Sequence, residues 1–184
     1  FPYIFINFID LKMEEKKITL TKELLENILQ KESTEFIMAL TDTYLGSIGG
    51  LLTADNMDKL NTNQHSLLAY RYLLEEVMEG GFIQLIHNGY GPYVLEGPFP
   101  FVIKKIWGFK DFGKFLFNVQ HEYHMHKDEI FTELSEEEFM ALYEQLEELN
   151  EYGDDFLDDF QETITPAIAE YVKGNDNDNG IVAG

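Results

Sequence analysis

Hydrophobic residues recur every three or four positions along most of this chain, which is the spacing of one face of an α-helix. After Ser33, a suitable N-cap residue, the apolar positions are Phe36, Ile37, Leu40 and Tyr44. Comparable stripes predict further helices at 21–30, 66–79, 82–87, 106–126, 135–152 and 154–164, and Ser66 is the expected N-cap of the second of these. The pattern therefore predicts a mainly α-helical protein.

The clearest helix start lies at Ser135. Ser135 and Glu138 have the spacing of a capping box, in which each side chain binds the backbone N–H of the other residue. The acidic residues of this first turn also lie at the positive end of the helix dipole. An apolar stripe follows, made of Phe139, Leu142, Tyr143, Leu146 and Leu149.

Glycine and proline indicate where the helices should end. Gly80 and Gly81 interrupt the apolar stripe of one helix, so they predict a break before Phe82. Gly153 is expected to end the helix that starts at Ser135. Asp154 would then cap the next helix, in which Thr165-Pro166 predicts either a kink or a new helix start.

The chain shows no internal repeat and no domain boundary. We expect a single compact multi-helix domain at 13–173, with short irregular or extended segments such as 90–101, where prolines and glycines are concentrated. Because Met13 resembles a natural start, we expect residues 1–12 to be an N-terminal extension of unassigned role: a start-site artefact, the remnant of a pro-segment or an edge strand. Residues 174–184 begin with a run rich in Asn, Asp and Gly, and they are expected to form a disordered tail.

Composition excludes several classes of protein. The chain has no cysteine, which excludes disulfides, thiolate catalysis and the usual zinc ribbons. The longest apolar run, residues 1–9, is about half of the roughly 20 residues that a membrane-spanning helix needs. We therefore expect a cytoplasmic protein that is not bound to a membrane.

Negative charge is concentrated in one block. The chain carries 34 acidic and 13 basic residues, a net charge of −21. Between Asp128 and Val172 there are 16 acidic residues and no Lys or Arg. A field this strong attracts cationic surfaces and repels nucleic acid and anionic membranes. The charge therefore predicts a basic protein partner and argues against direct binding of nucleic acid.

The predicted partner-binding residues are the acidic side chains opposite the apolar stripes. They are Glu137, Glu138, Glu144, Glu147, Glu148, Glu151, Asp155, Asp158, Asp159 and Glu162. If the block were helical throughout, it would carry one carboxylate per ~4 Å, close to the phosphate spacing of ~3.4 Å on one strand of B-DNA. The alternative is a solvated face that only increases solubility, although such faces usually alternate acidic and basic residues.

The sequence from Glu79 to Asn88 resembles the signature of a family of bacterial DNA-mimic proteins. The family pattern is Asn-Gly-Gly-Phe-x-Gln-aromatic-aromatic-x-Asn, and the matching positions are Gly80, Gly81, Phe82, Gln84 and Asn88. Glu79 replaces the usual Asn, and Leu85 and Ile86 replace the aromatic residues. The likeness covers residues 60–172. It implies an all-helical, acidic, dimeric protein that occupies the nucleic-acid-binding surface of a transcription-factor-like protein.

Read by its chemistry, this motif is structural. Gly80 and Gly81 would give a turn with positive φ or a close helix crossing, and Phe82 would fill the core. Gln84 and Asn88 could satisfy backbone groups at helix ends. The alternative is a ligand pocket formed by Gln84, His87, Asn88 and Tyr90.

Two further functions remain open at this point. An immunity-type inhibitor of a basic toxin or nuclease would need the same acidic face. A metal-dependent enzyme would use His121 and His124, which lie three residues apart on one helical face beside carboxylates. We favour the binding protein over the enzyme, and the prediction includes no catalytic residue, cofactor or metal ion.

Overall fold

The computed structural model describes residues 18–175 and 181–183, and the fold is mainly α-helical, as predicted. The longer helices are α1 (Lys22–Gln30), α2 (Ser33–Ser47), α3 (Thr62–His87), α4 (Lys110–Ile130), α5 (Glu136–Gln145), α6 (Glu147–Asp155) and α7 (Gln161–Gly174). Shorter helical turns occupy Met57–Lys59, Gly91–Val94 and Phe99–Phe101, and π-helical turns occupy Val102–Ile106 and Phe156–Phe160. No helix in the described part of the chain is long and apolar enough to cross a membrane.

Two short strands pair in parallel. β1 (Ile18–Leu20) and β2 (Ile181–Ala183) align with Ile18 opposite Ile181. The expectation of a disordered tail at 174–184 is therefore corrected for 181–183, where β1 supplies backbone hydrogen-bond partners. The expectation for residues 1–12 lies outside the described residues, as do residues 176–180.

The described residues divide into two compact units, one made of residues 18–71, 165–175 and 181–183 and the other of residues 72–164. In the first unit, the predicted apolar face of α2 is buried, with Phe36, Ile37, Leu40 and Tyr44 at 1% exposure or less. Lys173 of α7 lies over the Phe36 ring, with Nζ 5.0 Å from the ring centroid. The second unit contains most of α3 and the whole of α4, α5 and α6.

Two predicted N-caps are corrected. Glu32, not Ser33, has the extended backbone of the α2 N-cap. α3 begins at Thr62, four residues before Ser66, because Asn61 and Gln64 form a reciprocal pair. Asn61 Oδ1 accepts a hydrogen bond from the Gln64 N–H at 2.8 Å, and Gln64 Oε1 accepts one from the Asn61 N–H at 2.9 Å.

Proline and glycine were also less disruptive than predicted. The segment 90–101 contains two helical turns, and each carries its proline in the first turn, where the missing N–H costs nothing. Pro166 lies inside α7 and neither starts the helix nor separates it from the preceding turn. Its neighbour Thr165 is buried and bonds Tyr70, with 2.7 Å between the hydroxyl oxygens.

Candidate functional site

All ten predicted acidic residues are exposed on the second unit. We call this group the acidic surface. It lies on α5, α6, the π-helical turn Phe156–Phe160 and the first turn of α7. Within residues 18–175, none of the ten carboxylates forms an ion pair, so their charge is not neutralised by this part of the chain.

Helix capping explains how so many acidic residues can begin a helix. The capping box at Ser135 is confirmed: Ser135 Oγ accepts from the Glu138 N–H at 3.1 Å, and Glu138 Oε2 accepts from the Ser135 N–H at 2.8 Å. Acidic residues also fill the first turn of α6. At both starts the free N–H groups and the helix dipole favour negative charge.

The acidic surface is not one continuous rod. α5 ends at Gln145, and Leu146 leaves the helical conformation with φ −111° and ψ 57° before α6 begins. Gly153 lies inside α6, so the predicted break there and the predicted cap at Asp154 are wrong. The spacing estimate for an unbroken helix therefore does not apply. The carboxylates lie instead on two short helices and the turns that follow.

An aromatic cluster holds this segment onto α4. The Phe156 ring lies 6.0 Å from the Phe112 ring, and the Phe160 ring lies 4.8 Å from the Phe115 ring, measured between centroids. Tyr152 meets Phe115 edge to face at 5.7 Å. These contacts bury the apolar face of the segment and leave its carboxylates on the solvent side.

The Gly80-Gly81 pair forms the predicted kink. Gly81 has φ 71° and ψ −171°, a conformation that side chains disfavour, and the helical geometry of α3 is interrupted at both glycines. A Cβ at Gly153 of α6 would lie 3.2 Å from the Gly81 Cα, so the two backbones are in close contact. The Tyr143 hydroxyl of α5 donates to the Gly80 carbonyl oxygen at 2.7 Å. The kink is therefore both a positive-φ turn and a close helix crossing.

The polar residues of the motif bind a carboxylate rather than backbone groups. Asn88 Nδ2 donates to Glu76 Oε2 at 2.8 Å, and Gln84 Nε2 donates to the same oxygen at 3.2 Å. Glu76 lies before the kink and both amides lie after it, so these bonds connect its two sides. Phe82 is fully buried, as predicted.

The other two residues of the predicted pocket have partners of their own. The Nδ1 atom of His87 lies 2.9 Å from the Ile130 carbonyl oxygen, and the Tyr90 ring packs on Tyr72 with 4.7 Å between centroids. Burial, reinforced by two glutamates of α3, raises the pKa of the Tyr90 hydroxyl. The ligand pocket therefore has no support in these contacts.

A recess that no sequence pattern indicated lies at the junction of α5 and α6. It has a volume of about 560 Å³ and is lined by Glu122 and His126 of α4 together with Glu147, Glu148 and Glu151 of the acidic surface. His126 Nε2 lies 3.5 Å from a Glu122 oxygen. Hydrophobic periodicity alone gave no signal that α4 and α6 would meet here.

The histidines considered as metal ligands form no such site with other residues that the structure describes. His121 and His124 are exposed. In the described residues, no group of three His, Cys, Asp or Glu side chains is close enough to hold a metal ion.

One apolar residue interrupts the carboxylates of α5. Met140 is 57% exposed and lies three residues after Glu137 and four before Glu144, so the three share one face of the helix. An exposed methionine among carboxylates offers a contact of a different chemical kind on the same surface.

The family model described as DMP19-like protein matches residues 58–175. The chain belongs to the DMP19-like family. A relative in Neisseria meningitidis serogroup B, named DNA mimic protein DMP19, is 30% identical over 153 residues, which cover 82% of this chain and 90% of the relative. The resemblance inferred from the motif is confirmed.

The DMP19-like match includes both features described above. Residues 58–175 contain the kink of α3 and the whole acidic surface. The kink, its Gln84 and Asn88 bonds to Glu76, and the carboxylates thus belong to the part of the chain that carries the family relationship.

Proposed function

We propose that this protein binds a basic DNA-binding protein through the acidic surface, in the place that DNA would occupy. The observation that carries the proposal is the set of ten exposed carboxylates that form no ion pair within residues 18–175, in a chain of the DMP19-like family. The name of the Neisseria relative, a DNA mimic protein, supports the same role. The identity of the partner and the dimeric state implied by the resemblance remain predictions.

The mechanism is electrostatic substitution. Carboxylates replace phosphates opposite the Lys and Arg side chains of the partner. Negative charge along several helical turns also accelerates association with that partner. The recess lined by Glu147, Glu148 and Glu151 gives the surface a concave part. Because the contacts are between exposed charges, binding should weaken strongly as salt increases from low to physiological concentration.

A charge-reversal variant tests the acidic surface. We would immobilise the native protein beside a variant in which Glu144, Glu147, Glu148 and Asp155 are all changed to Lys, and pass over both a lysate of the source organism. A DNA-binding protein retained by the native column, released by salt and displaced by duplex DNA would support the proposal. The reversed surface should fail to retain it.

A matched variant controls for net charge. Glu23, Glu35, Asp55 and Asp58 are exposed residues of the first unit, and their change to Lys alters the net charge by the same amount. Each set also places two of its changes in the first turns of α-helices. Of the two variants, only the control should retain the partner. Equal retention by all three columns would contradict the proposal, because the acidic surface would then contribute only to solubility.

The same column separates two kinds of partner. A retained nuclease or toxin, with its activity abolished by the native protein, would indicate the immunity-type inhibitor. A retained transcription factor released from its operator would indicate DNA mimicry in gene regulation. Both outcomes use the same surface, and the enzymatic or operator-binding assay distinguishes them.

A further inference from the structure

The segment of α3 that follows the kink is in contact with both acidic helices. Tyr143 of α5 bonds the Gly80 carbonyl oxygen, and Phe139, one turn earlier on α5, packs on His87 with 4.7 Å between ring centroids. Since the contacts run backward along α5 as they run forward along α3, the two segments are antiparallel. α6 touches the same kink through Gly153.

These contacts involve α5 and α6, the two helices that Leu146 separates. α5 and α6 have 10 and 9 residues, and helices of this length are marginal when isolated. Their exposed faces carry like charges, which repel one another and oppose a fixed arrangement. Tertiary contacts must therefore supply the order that local propensity does not.

The kink itself is held by bonds within α3. Gln84 and Asn88, from beyond the kink, both donate to Glu76 before it. A hydrogen bond to a charged group is stronger than one between neutral groups, so Glu76 stabilises the bent form of the helix. The motif thus fixes the kink of α3, and this kink contacts α5 and α6.

We propose that the kink of α3 holds α5 and α6, and with them the acidic surface, in a fixed position. In this proposal Tyr143 and Gly153 are positioning residues for recognition of a cationic partner. This inference rests on the proposed function for its second part. It gives the family motif a role in function that does not require a motif side chain to contact the partner. The carboxylates make the contacts, and the kink fixes their spacing.

The first test does not depend on any partner. Tyr143→Phe removes only the hydroxyl that bonds Gly80. Tyr152→Phe removes a hydroxyl from the same segment, one that bonds Glu148 within α6 at 3.2 Å and does not reach α3. Hydrogen exchange followed by mass spectrometry should show amides of residues 136–155 exchanging about fivefold faster in Tyr143→Phe, as expected for loss of one hydrogen bond. Exchange in α4 should stay unchanged, as should exchange throughout Tyr152→Phe.

Two results of that test would contradict the proposal that the kink holds α5 and α6 in position. One is unchanged exchange at 136–155 in Tyr143→Phe. The other is faster exchange across the whole second unit, which would mean that the bond contributes only general stability.

The second test measures positioning. A fluorescein-labelled oligoarginine peptide serves as the cationic probe, and its affinity is measured by fluorescence anisotropy at a temperature at which all variants are folded. Tyr143→Phe should bind it about twofold to fivefold more weakly than native protein or Tyr152→Phe. Unchanged affinity together with faster local exchange would show that the bond holds the helices but does not position them for binding. Failure of the native protein to bind the peptide would count against the proposed function. The exchange result would still decide whether the kink holds α5 and α6 in position.

Discussion

Gly153 of α6 lies directly against Gly81 in the kink of α3, with only 3.2 Å between the Gly81 Cα and the place that a Cβ at 153 would occupy. Both partners at this point are backbone, so neither can yield by rotating a side chain. We predict that Gly153→Ala lowers the free energy of unfolding, although alanine favours a helix by about 0.5–1 kcal/mol over glycine. Thermal or urea denaturation measures the change.

Gly46 provides the control for that prediction. It lies inside α2, and a Cβ there would meet no atom within 4 Å. Gly46→Ala should therefore raise the free energy of unfolding by about 0.5–1 kcal/mol. Equal stabilisation by the two substitutions would show that the crossing at Gly81 has room for a methyl group.

Ser135 allows stability to be separated from charge. Ser135→Ala removes a capping hydrogen bond to Glu138 and should cost about 1 kcal/mol of unfolding free energy without changing the charge. Binding of a cationic partner should remain within error of the native value. Ser135→Thr, which keeps the capping oxygen, should lose much less stability. A large loss of binding in Ser135→Ala at a temperature at which it is folded would mean that α5 is less firmly held than we infer.

His65 makes the stability of the protein dependent on pH. It is 4% exposed, and neither of its ring nitrogens has a hydrogen-bond partner in the described residues. Burial lowers the pKa of this histidine from 6.5 to about 4. Below pH 6.5 the unfolded chain binds a proton that the folded chain excludes. The stabilisation is therefore complete above pH 6.5 and is lost progressively as the pH falls to about 4, by a total of about 3 kcal/mol.

His65→Leu isolates this effect. The many carboxylates also titrate in acid, but they do so in both proteins, so their contribution cancels in the difference. The native protein should lose stability relative to His65→Leu between pH 7 and pH 4 when urea denaturation is measured at each pH. A difference that stays constant over this range would show that the folded protein admits the proton.

Met140 should contribute to selection of the partner. Electrostatic attraction alone would favour any basic protein, whereas an apolar contact requires a matching surface. Met140→Ala should weaken binding of the partner identified by the affinity column about fivefold, with the salt dependence unchanged. Met78, which is 55% exposed on α3 and outside the acidic surface, is the control, and Met78→Ala should bind normally. Equal effects of the two variants would remove Met140 from the interface.

Structural features that depend on residues within one or two helical turns were predicted well. The Ser135 capping box, the buried face of α2 and the kink at Gly80-Gly81 each depend on residues close together in the chain. The exposure of the ten carboxylates was also predictable, because they lie opposite the apolar stripe of the same segment. The Asn61–Gln64 cap was missed although it is equally local, since Ser66 gave the more familiar signal.

The helical class, the position of the kink and the concentration of charge follow from the order of the residues, because periodicity, capping and composition act over short distances. That Gly153 continues a helix depends on packing, because the residue it meets, Gly81, is distant in the chain. The same holds for the recess between α4 and α6 and for the Tyr143 bond to Gly80. Each depends on which surfaces pack together, and hydrophobic spacing indicates that a face is buried without indicating what covers it.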